Sequence, residues 1–549
     1  TFLKSVMCKS TRPNHTSHSM IVSLATLFLM QFQTICHADY TVQVGAFKDP
    51  AHASRLMEKL KKQGFPAAAY FNETESQSLT RIWVGPYPDR TTAEQIRNQL
   101  DAKDIPGFLV PAPSPTDIAS TKTRELQSIT SSNEVAVQDN KGTQAQDWQN
   151  DPASNQASDW RGYVEFEGTY FFEDPLFPEQ SNSNLSIAVE PEYIYEWNNG
   201  DDLFTFKPFY RIDQRDDNRT HGDIRELSWI HAADDWELLA GIGKVFWGVT
   251  EAVHLVDIIN QTDLVESFDG EEKLGQPMLD LSLIRDWGVV DLFVLPYFRE
   301  RTFPSAEGRP RFAIPIDTDN VFYESSSEQN HVDFAARWSH SIGAWDIGLS
   351  YFYGTTREPT FLILPENIDP VAGSVSEVNP LYEIISQPSL DVQGIFGSWL
   401  WKLEAYHRSG QGDSFYAVAG GFEYTFVGVG ESAIDVGIIS EYLYDDRGDA
   451  IGTTIIQPGV PFSTSPFQND LVLGTRITLN DVQSTEILAV AIVDMEGNGE
   501  TYTIEASRRF GNDWIFALEG SGFRNVPENT SLASFKKDSN VRLKFTRYF

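Results

Sequence analysis

Cysteine is almost missing from this chain: of 549 residues only Cys8 and Cys36 are cysteine. Everything after residue 36 therefore lacks a disulfide framework, a thiolate metal site and a cysteine nucleophile. Positive charge is scarce as well. Lys and Arg number 42 against 78 Asp and Glu, a formal charge of −36, which excludes nucleic acid as a partner because counterion release requires clustered cations. Long apolar runs are also lacking. Beyond residue 40 none approaches the roughly 18 to 20 residues that a membrane-spanning helix needs, so a membrane could be crossed only by strands. Local catalytic signatures are absent too: there is no G-x-S-x-G, no H-E-x-x-H and no glycine-rich phosphate loop. His231, His340 and His407 are the candidate catalytic histidines, but a place in an aromatic belt or a lumen is the more usual role for such residues. No enzyme activity, cofactor or metal is expected.

What is present points to export and to more than one domain. The length exceeds that of one ordinary domain. Lys4, Lys9 and Arg12 precede an apolar stretch from Ile21 to Met30, followed by Cys36-His37-Ala38. The small residues there fit a signal-peptidase site, so residues 1–38 are expected to be a signal peptide, with Met20 as an alternative start.

Residues 40–111 contain an internal repeat in which Val42, Val44, Gly45, Phe47, Asp49, Ala53, Leu60 and Pro66 are answered forty positions later. The answering residues are Ile82, Val84, Gly85, Tyr87, Asp89, Ala93, Leu100 and Pro106. Each half reads strand, helix, strand, which predicts a small α+β split βαβ sandwich over 39–111 with both helices on one face of one sheet. If Val42, Val44, Ile82 and Val84 face the helices, the pleat turns Thr41, Gln43, Phe47, Arg81, Trp83 and Tyr87 to the open face. Aromatic rings there offer an apolar surface to the C–H side of a sugar, while Gln and Arg can bond hydroxyl and N-acetyl groups. The plainer reading is that Phe47 and Tyr87 only cover the sheet.

The segments Tyr40-Thr-Val-Gln-Val-Gly-Ala-Phe47 and Arg81-Ile-Trp-Val-Gly-Pro-Tyr87 closely resemble the two signature strands of the SPOR domain family. Members of that family bind peptidoglycan glycan strands stripped of stem peptides. The resemblance implies that the open face is a glycan site, with Gln43, Arg81 and Trp83 as leading contacts and Phe47 and Tyr87 beside them, in a binding module without catalysis.

From Ala112 to about Asp159 the chain is Ser, Thr, Asn, Gln, Asp and Ala with almost no large apolar residue. Such a composition cannot offset its ordering entropy, so 112–159 is expected to be a flexible tether. Its roughly 45 residues would span on the order of 40 Å as a random coil.

Residues 160–549 hold about eighteen segments near ten residues long, many alternating apolar and polar. Examples are Leu203 to Arg211, Val332 to Ser339, Trp399 to Arg408, Leu471 to Leu479 and Val541 to Phe549; Glu486 to Val493 alternates poorly. Every second connection is short, among them Asn198-Asn-Gly200, Asp286-Trp-Gly288 and Gly397-Ser398, whereas the intervening ones are mostly long. Trp197, Trp236, Trp287, Trp338, Trp345, Trp399 and Trp514 cluster beside the short turns, as an interfacial girdle requires. Together these predict an all-β antiparallel transmembrane barrel of about 16–18 strands, set in outer-membrane lipid with the N-terminal module in the periplasm. The last strand resembles the C-terminal strand recognised by the outer-membrane barrel assembly machinery, with Arg547 departing from that pattern. Association of copies into a homo-oligomer is left open.

The third long connection, beginning Gly248-Val-Thr-Glu-Ala-Val-His254, is partly apolar and would fold inward more stably than stand in water. Period-two reading turns Lys207, Arg211, Arg476, Arg542 and Lys544 to the lumen, opposite Glu266, Asp269, Glu271 and Glu272 on that connection. A basic wall facing an acidic loop would resemble a porin eyelet; solvated charges in a wide vestibule are the alternative. Three functions are consistent with this: a porin-like channel tethered to the wall, a structural anchor with a plugged barrel, and a solute-specific exporter or importer.

Overall fold

A computed structural model describes residues 157–549 apart from 372–373, 448–466, 498, 512 and 529. Before these it describes residues 40–47, 57, 60–62, 65–74, 77–87, 96–97, 99–100, 103 and 108–111. The expected signal peptide and all but the last residues of the expected tether lie outside the described residues. The chain divides into two compact units, Thr1–Thr130 and Ser131–Phe549.

In the first unit, β1 (Tyr40–Phe47), β2 (Ala67–Thr74), β3 (Gln77–Tyr87) and β4 (Phe108–Pro111) form one antiparallel sheet in the order β2-β3-β1-β4. Residues 57, 60–62, 96–97 and 99–100 are helical. Val42, Ile82 and Val84 from the sheet and Met57, Leu60 and Leu100 from the helical stretches are all buried, so sheet and helices supply one core. That is the arrangement the repeat predicts.

The second unit is a closed barrel of eighteen antiparallel strands. Its first strands are β5 (Ala157–Phe171), β6 (Ser183–Trp197), β7 (Asp202–Asp213), β8 (Gly222–Ala232) and β9 (Trp236–Gly243). Then come β10 (Gln276–Arg285), β11 (Gly288–Leu295), β13 (Asp333–Ile342), β14 (Trp345–Thr355), β17 (Ile384–Phe396) and β18 (Trp399–Gly410). The circuit is completed by β19 (Gly412–Phe426), β20 (Asp435–Asp445), β21 (Asn469–Thr478), β22 (Glu486–Asp494), β23 (Glu500–Phe510), β24 (Trp514–Arg524) and β25 (Asn540–Tyr548). β25 pairs with β5 and closes the ring, which leaves no exposed edge. Three short strands, β12 (Phe322–Tyr323), β15 (Thr360–Leu362) and β16 (Asn379–Tyr382), make a separate small sheet in the long connections.

The first barrel strand starts at Ala157, inside the span expected to be tether. Its ladder to β6 already holds there, with Ala157 opposite Glu196 and Trp160 opposite Tyr193, and the Trp160 and Tyr193 rings are 4.9 Å apart. The turns at 198–200, 286–288 and 397–398 fall where the sequence places them. Among the intervening connections, expected to be mostly long, two are short: five positions separate β22 from β23, and a single residue, Gln411, joins β18 to β19. Gly410 and Gly412 flank it at φ 101° and 71°, and a Cβ on Gly410 would lie 2.1 Å from the Ile384 carbonyl oxygen. Only glycine fits that turn.

The pleat sorts the wall. Phe166, Leu185, Ile187, Tyr210, Ile212, Leu349, Leu403, Leu473, Leu543 and Phe545 are exposed on one face. Residues between them, such as Arg211, Glu404 and Glu441, are buried on the other. An apolar outer face with polar residues inside is what lipid outside and water or protein inside demand. Trp287, Trp345, Trp399 and Trp514 are exposed beside the short turns. Arg547 stands on the same outward face, its guanidinium 5.7 Å from the Trp514 ring centroid.

Candidate functional site

Two surfaces were singled out by the sequence, the open face of the small sheet and the barrel interior. On the small sheet, Val42 pairs with Val84 and Gln43 with Trp83. An irregularity between Gln43 and Gly45 then shifts the register, so Ala46 lies opposite Arg81 and Phe47 opposite Thr80. The side chains of Gln43, Phe47 and Arg81 lie outside the described residues. Trp83 and Tyr87 are half-buried. The Tyr87 hydroxyl has no hydrogen-bond partner among the described residues, and burial pushes its pKa upward.

Inside the barrel the connection 244–275 crosses from one wall to the other. It is stapled at its base by Asn260, whose side-chain amide donates to the carbonyls of Gly243 at 2.9 Å and Leu274 at 2.8 Å and whose Oδ1 accepts from the Val245 amide at 2.8 Å. Trp247, Val256, Ile258 and Ile259 pack against Met278, Phe293, Leu295, Ala335, Phe352 and Ile385 of β10, β11, β13, β14 and β17. The far tip is held by two wall carboxylates. Glu404 of β18, fully buried, accepts from the amides of Val249 at 2.6 Å, Thr250 at 2.9 Å and Val256 at 3.2 Å and from the Thr250 hydroxyl at 2.7 Å. Glu441 of β20 accepts from the amides of Glu251 at 2.8 Å and Ala252 at 3.1 Å. Glu251 itself is salt-bridged to Lys402 and to Arg476, which lies near the short-turn end of β21. The tip therefore reaches deep into the barrel.

The returning leg docks on β7 and the connection after it. Arg211 bonds Glu266 at 2.9 Å, Glu165 at 3.1 Å and the Ser186 hydroxyl at 2.7 Å. Arg219 joins Glu167 and Asp213, each at 2.8 Å, and donates to the Val265 carbonyl. Burial would raise the Glu266 carboxyl, but His221, Arg211 and Arg219 outweigh it and hold it at about 2. Glu271 goes the other way. Glu271 is exposed, yet partial removal from bulk water first, then the charges of Asp269, Glu505, Glu251 and Glu272, push it up to about 7.

The structure thus brings some predicted residues together and separates others. Arg211 and Glu266 are in direct contact, not opposed across a gap. Lys207 bonds Glu192 at 3.2 Å and Glu226 at 3.4 Å. Arg476 bonds Glu486 at 2.6 Å, Arg542 bonds Glu519 at 3.3 Å and Lys544 bonds Glu519 at 2.6 Å. Asp269 accepts from the Ser267 hydroxyl and the Glu271 amide. The basic wall is therefore interleaved with carboxylates. Glu404, Glu441, Lys402 and Glu167 were missed, although the alternation of Trp399 to Arg408 already turned Lys402 and Glu404 inward. Of the histidines, His231 bonds Asp202 at 2.9 Å between Trp229 and Trp236, His340 lies beside Trp338, and His407 is exposed.

Over the outer mouth, Leu264, Phe303, Phe361, Ile363 and Val378 form an apolar cluster shared by three connections. Arg309 crosses to Asp538 at 2.8 Å, so the 296–332 connection is tied to 525–539.

Among solved structures, a mutant of Rh. blastica porin is 10% identical to this chain and a Rhodopseudomonas blastica porin triple mutant 13%. Each has a TM-score of 0.34, covering 72% of this chain and 100% of the other. A structure described as "Asymmetric conductivity of engineered proteins" is 11% identical with the same TM-score and coverage. No curated protein matches the sequence. The barrel assignment rests on the strand pairing. Residues 37–111 match the family model of the SPOR domain, and the chain therefore joins a SPOR domain to a closed eighteen-stranded β-barrel.

Proposed function

We propose that this protein is an outer-membrane channel tethered to the cell wall, its SPOR domain holding peptidoglycan glycan strands in the periplasm. One observation carries the channel reading. Along β18, where the tip of the 244–275 connection is pinned, burial alternates sharply; along β24 and most of β23 it does not, and the inward residues Glu505 and Ser507 are exposed. An inward-facing residue can be exposed only if that arc of the lumen holds water.

The tether reading is supported by direction. The barrel begins at Ala157 and ends at Phe549 on the side of the short turns, where Phe549 and Gly162 exchange backbone hydrogen bonds. Short turns face the periplasm in such barrels, so a preceding glycan-binding domain would lie beside the wall. Barrel and SPOR domain are both non-enzymatic kinds of fold, which favours transport and attachment over catalysis.

A closed anchor is the second reading, favoured by the pins at Glu404 and Glu441. Conductance of the purified full chain in a planar bilayer separates the two. Stepwise openings are expected; a folded barrel that inserts and never conducts would leave the anchor. Co-sedimentation with amidase-treated sacculi tests the attachment, and a folded chain that stays in the supernatant would refute it.

A further inference from the structure

The connection 244–275 divides the barrel interior unequally. On one side its apolar residues fill the space beneath β10 to β17, where Ala335 is 6% exposed. On the other side lie β23, β24 and β25, whose inward residues include Thr503, Glu505, Ser507, Glu519, Ser521 and Lys544, with Ala517 between them. Glu505 and Ser507 there are exposed although they face inward. The acidic end of the connection borders this side: the Phe268 ring is 5.3 Å from Phe535, which in turn neighbours Phe523 of β24, and Asp269 and Glu271 follow directly.

Charge in this lane is not balanced. Glu519 is ion-paired with Arg542 and Lys544, and Arg542 also bridges to Glu167 at 3.8 Å. Its cross-strand neighbour Glu505 forms no ion pair among the described residues, nor does Glu271. Glu271 and Glu505 are near enough to repel one another, and so are Asp269 and Glu505. Exposed carboxylates without a cation partner, on both sides of a wet passage, attract cations and disfavour anions.

From the channel reading above, on which it rests, we infer that permeation follows a single lane between the 244–275 connection and β23 to β25, and that Glu271 and Glu505 on its two banks make it select small cations. The lane beside Ala335 is closed by packing.

The test uses the folded full chain, with barrel folding checked by heat-dependent gel mobility. In planar bilayers under a KCl gradient the reversal potential should report preference for K⁺. Glu271→Gln together with Glu505→Gln should lower the K⁺ over Cl⁻ preference by about twofold or more. A cationic methanethiosulfonate should block current through Ser507→Cys, and through Ser521→Cys as a second position. It should leave Ala335→Cys and the unsubstituted chain unchanged. Conductance without cation preference, or block at Ala335 and not at the two serines, overturns the lane while the channel stands. No conductance from folded protein overturns the channel reading itself.

Discussion

Glu404 forms no ion pair among the described residues and is ligated instead by three amides and a hydroxyl of the crossing connection. Successive amides aimed at one anion form a nest, and a charge-assisted bond of this kind contributes about 1.5–3 kcal/mol. Glu404→Gln keeps the shape and removes the charge, so the tip of the connection should loosen. Single-channel records should show larger, noisier openings, whereas unchanged traces would mean that the apolar packing alone holds the tip. Glu271 sets a pH response. Its carboxyl is raised to about 7, so it is largely neutral below that value and charged above it. Cation preference should therefore rise as pH goes from roughly 6 to 8, and Glu271→Gln should flatten the step; a step that persists would assign it elsewhere. Glu266 behaves oppositely. Its folded value of about 2 lies below its ordinary range, so its docking on Arg211 stabilises the fold above about pH 4.5 and is lost as pH falls toward 2.

At the level of elements, alternation and turn chemistry account for most of what is seen. The strand from Val541 to Phe549 puts Leu543 and Phe545 outward and Lys544 inward, as period two requires. Leu543→Arg should cost about 2–4 kcal/mol and lower the temperature of the gel-mobility transition. Lys544→Gln, on the wet face, should cost much less; equal losses would contradict the facing. The turn at Gln411 shows where pattern reading ran short. Nothing in a period-two count marks a one-residue connection, but Gly410-Gln411-Gly412, with both glycines at positive φ, makes it. Gly410→Ala should destabilise the barrel by roughly 1–3 kcal/mol, read from the same transition. In the small sheet the register of β1 against β3 shifts by one residue after Gln43. Trp83→Ala should weaken sacculus binding roughly tenfold; unchanged binding would remove Trp83 from the glycan face.

For the molecule as a whole, deletion of residues 39–111 should abolish sacculus co-sedimentation while leaving conductance unchanged, because the chain forms two separate compact units. Loss of both would mean that the units act together. The closed barrel, its even strand number and the strand–helix–strand halves of the N-terminal domain were legible in the sequence because each rests on local, repeated facts. These are the period of the pleat, the lengths of turns and the forty-residue repeat. The family of that domain was legible from the resemblance of Tyr40–Phe47 and Arg81–Tyr87 to SPOR strands. The inward course of the third connection was legible too, from apolar residues that would not stand in water. Its destination was not. Glu266 sits on Arg211, and Glu251 between Lys402 and Arg476, only because the closed ring brings β7, β18 and β21 within reach of one loop. Which charges are paired, and therefore which are left to act on a passing ion, depends on contacts between residues some 55 to 225 positions apart. Composition and periodicity carry no information at that range; only the tertiary structure decides it.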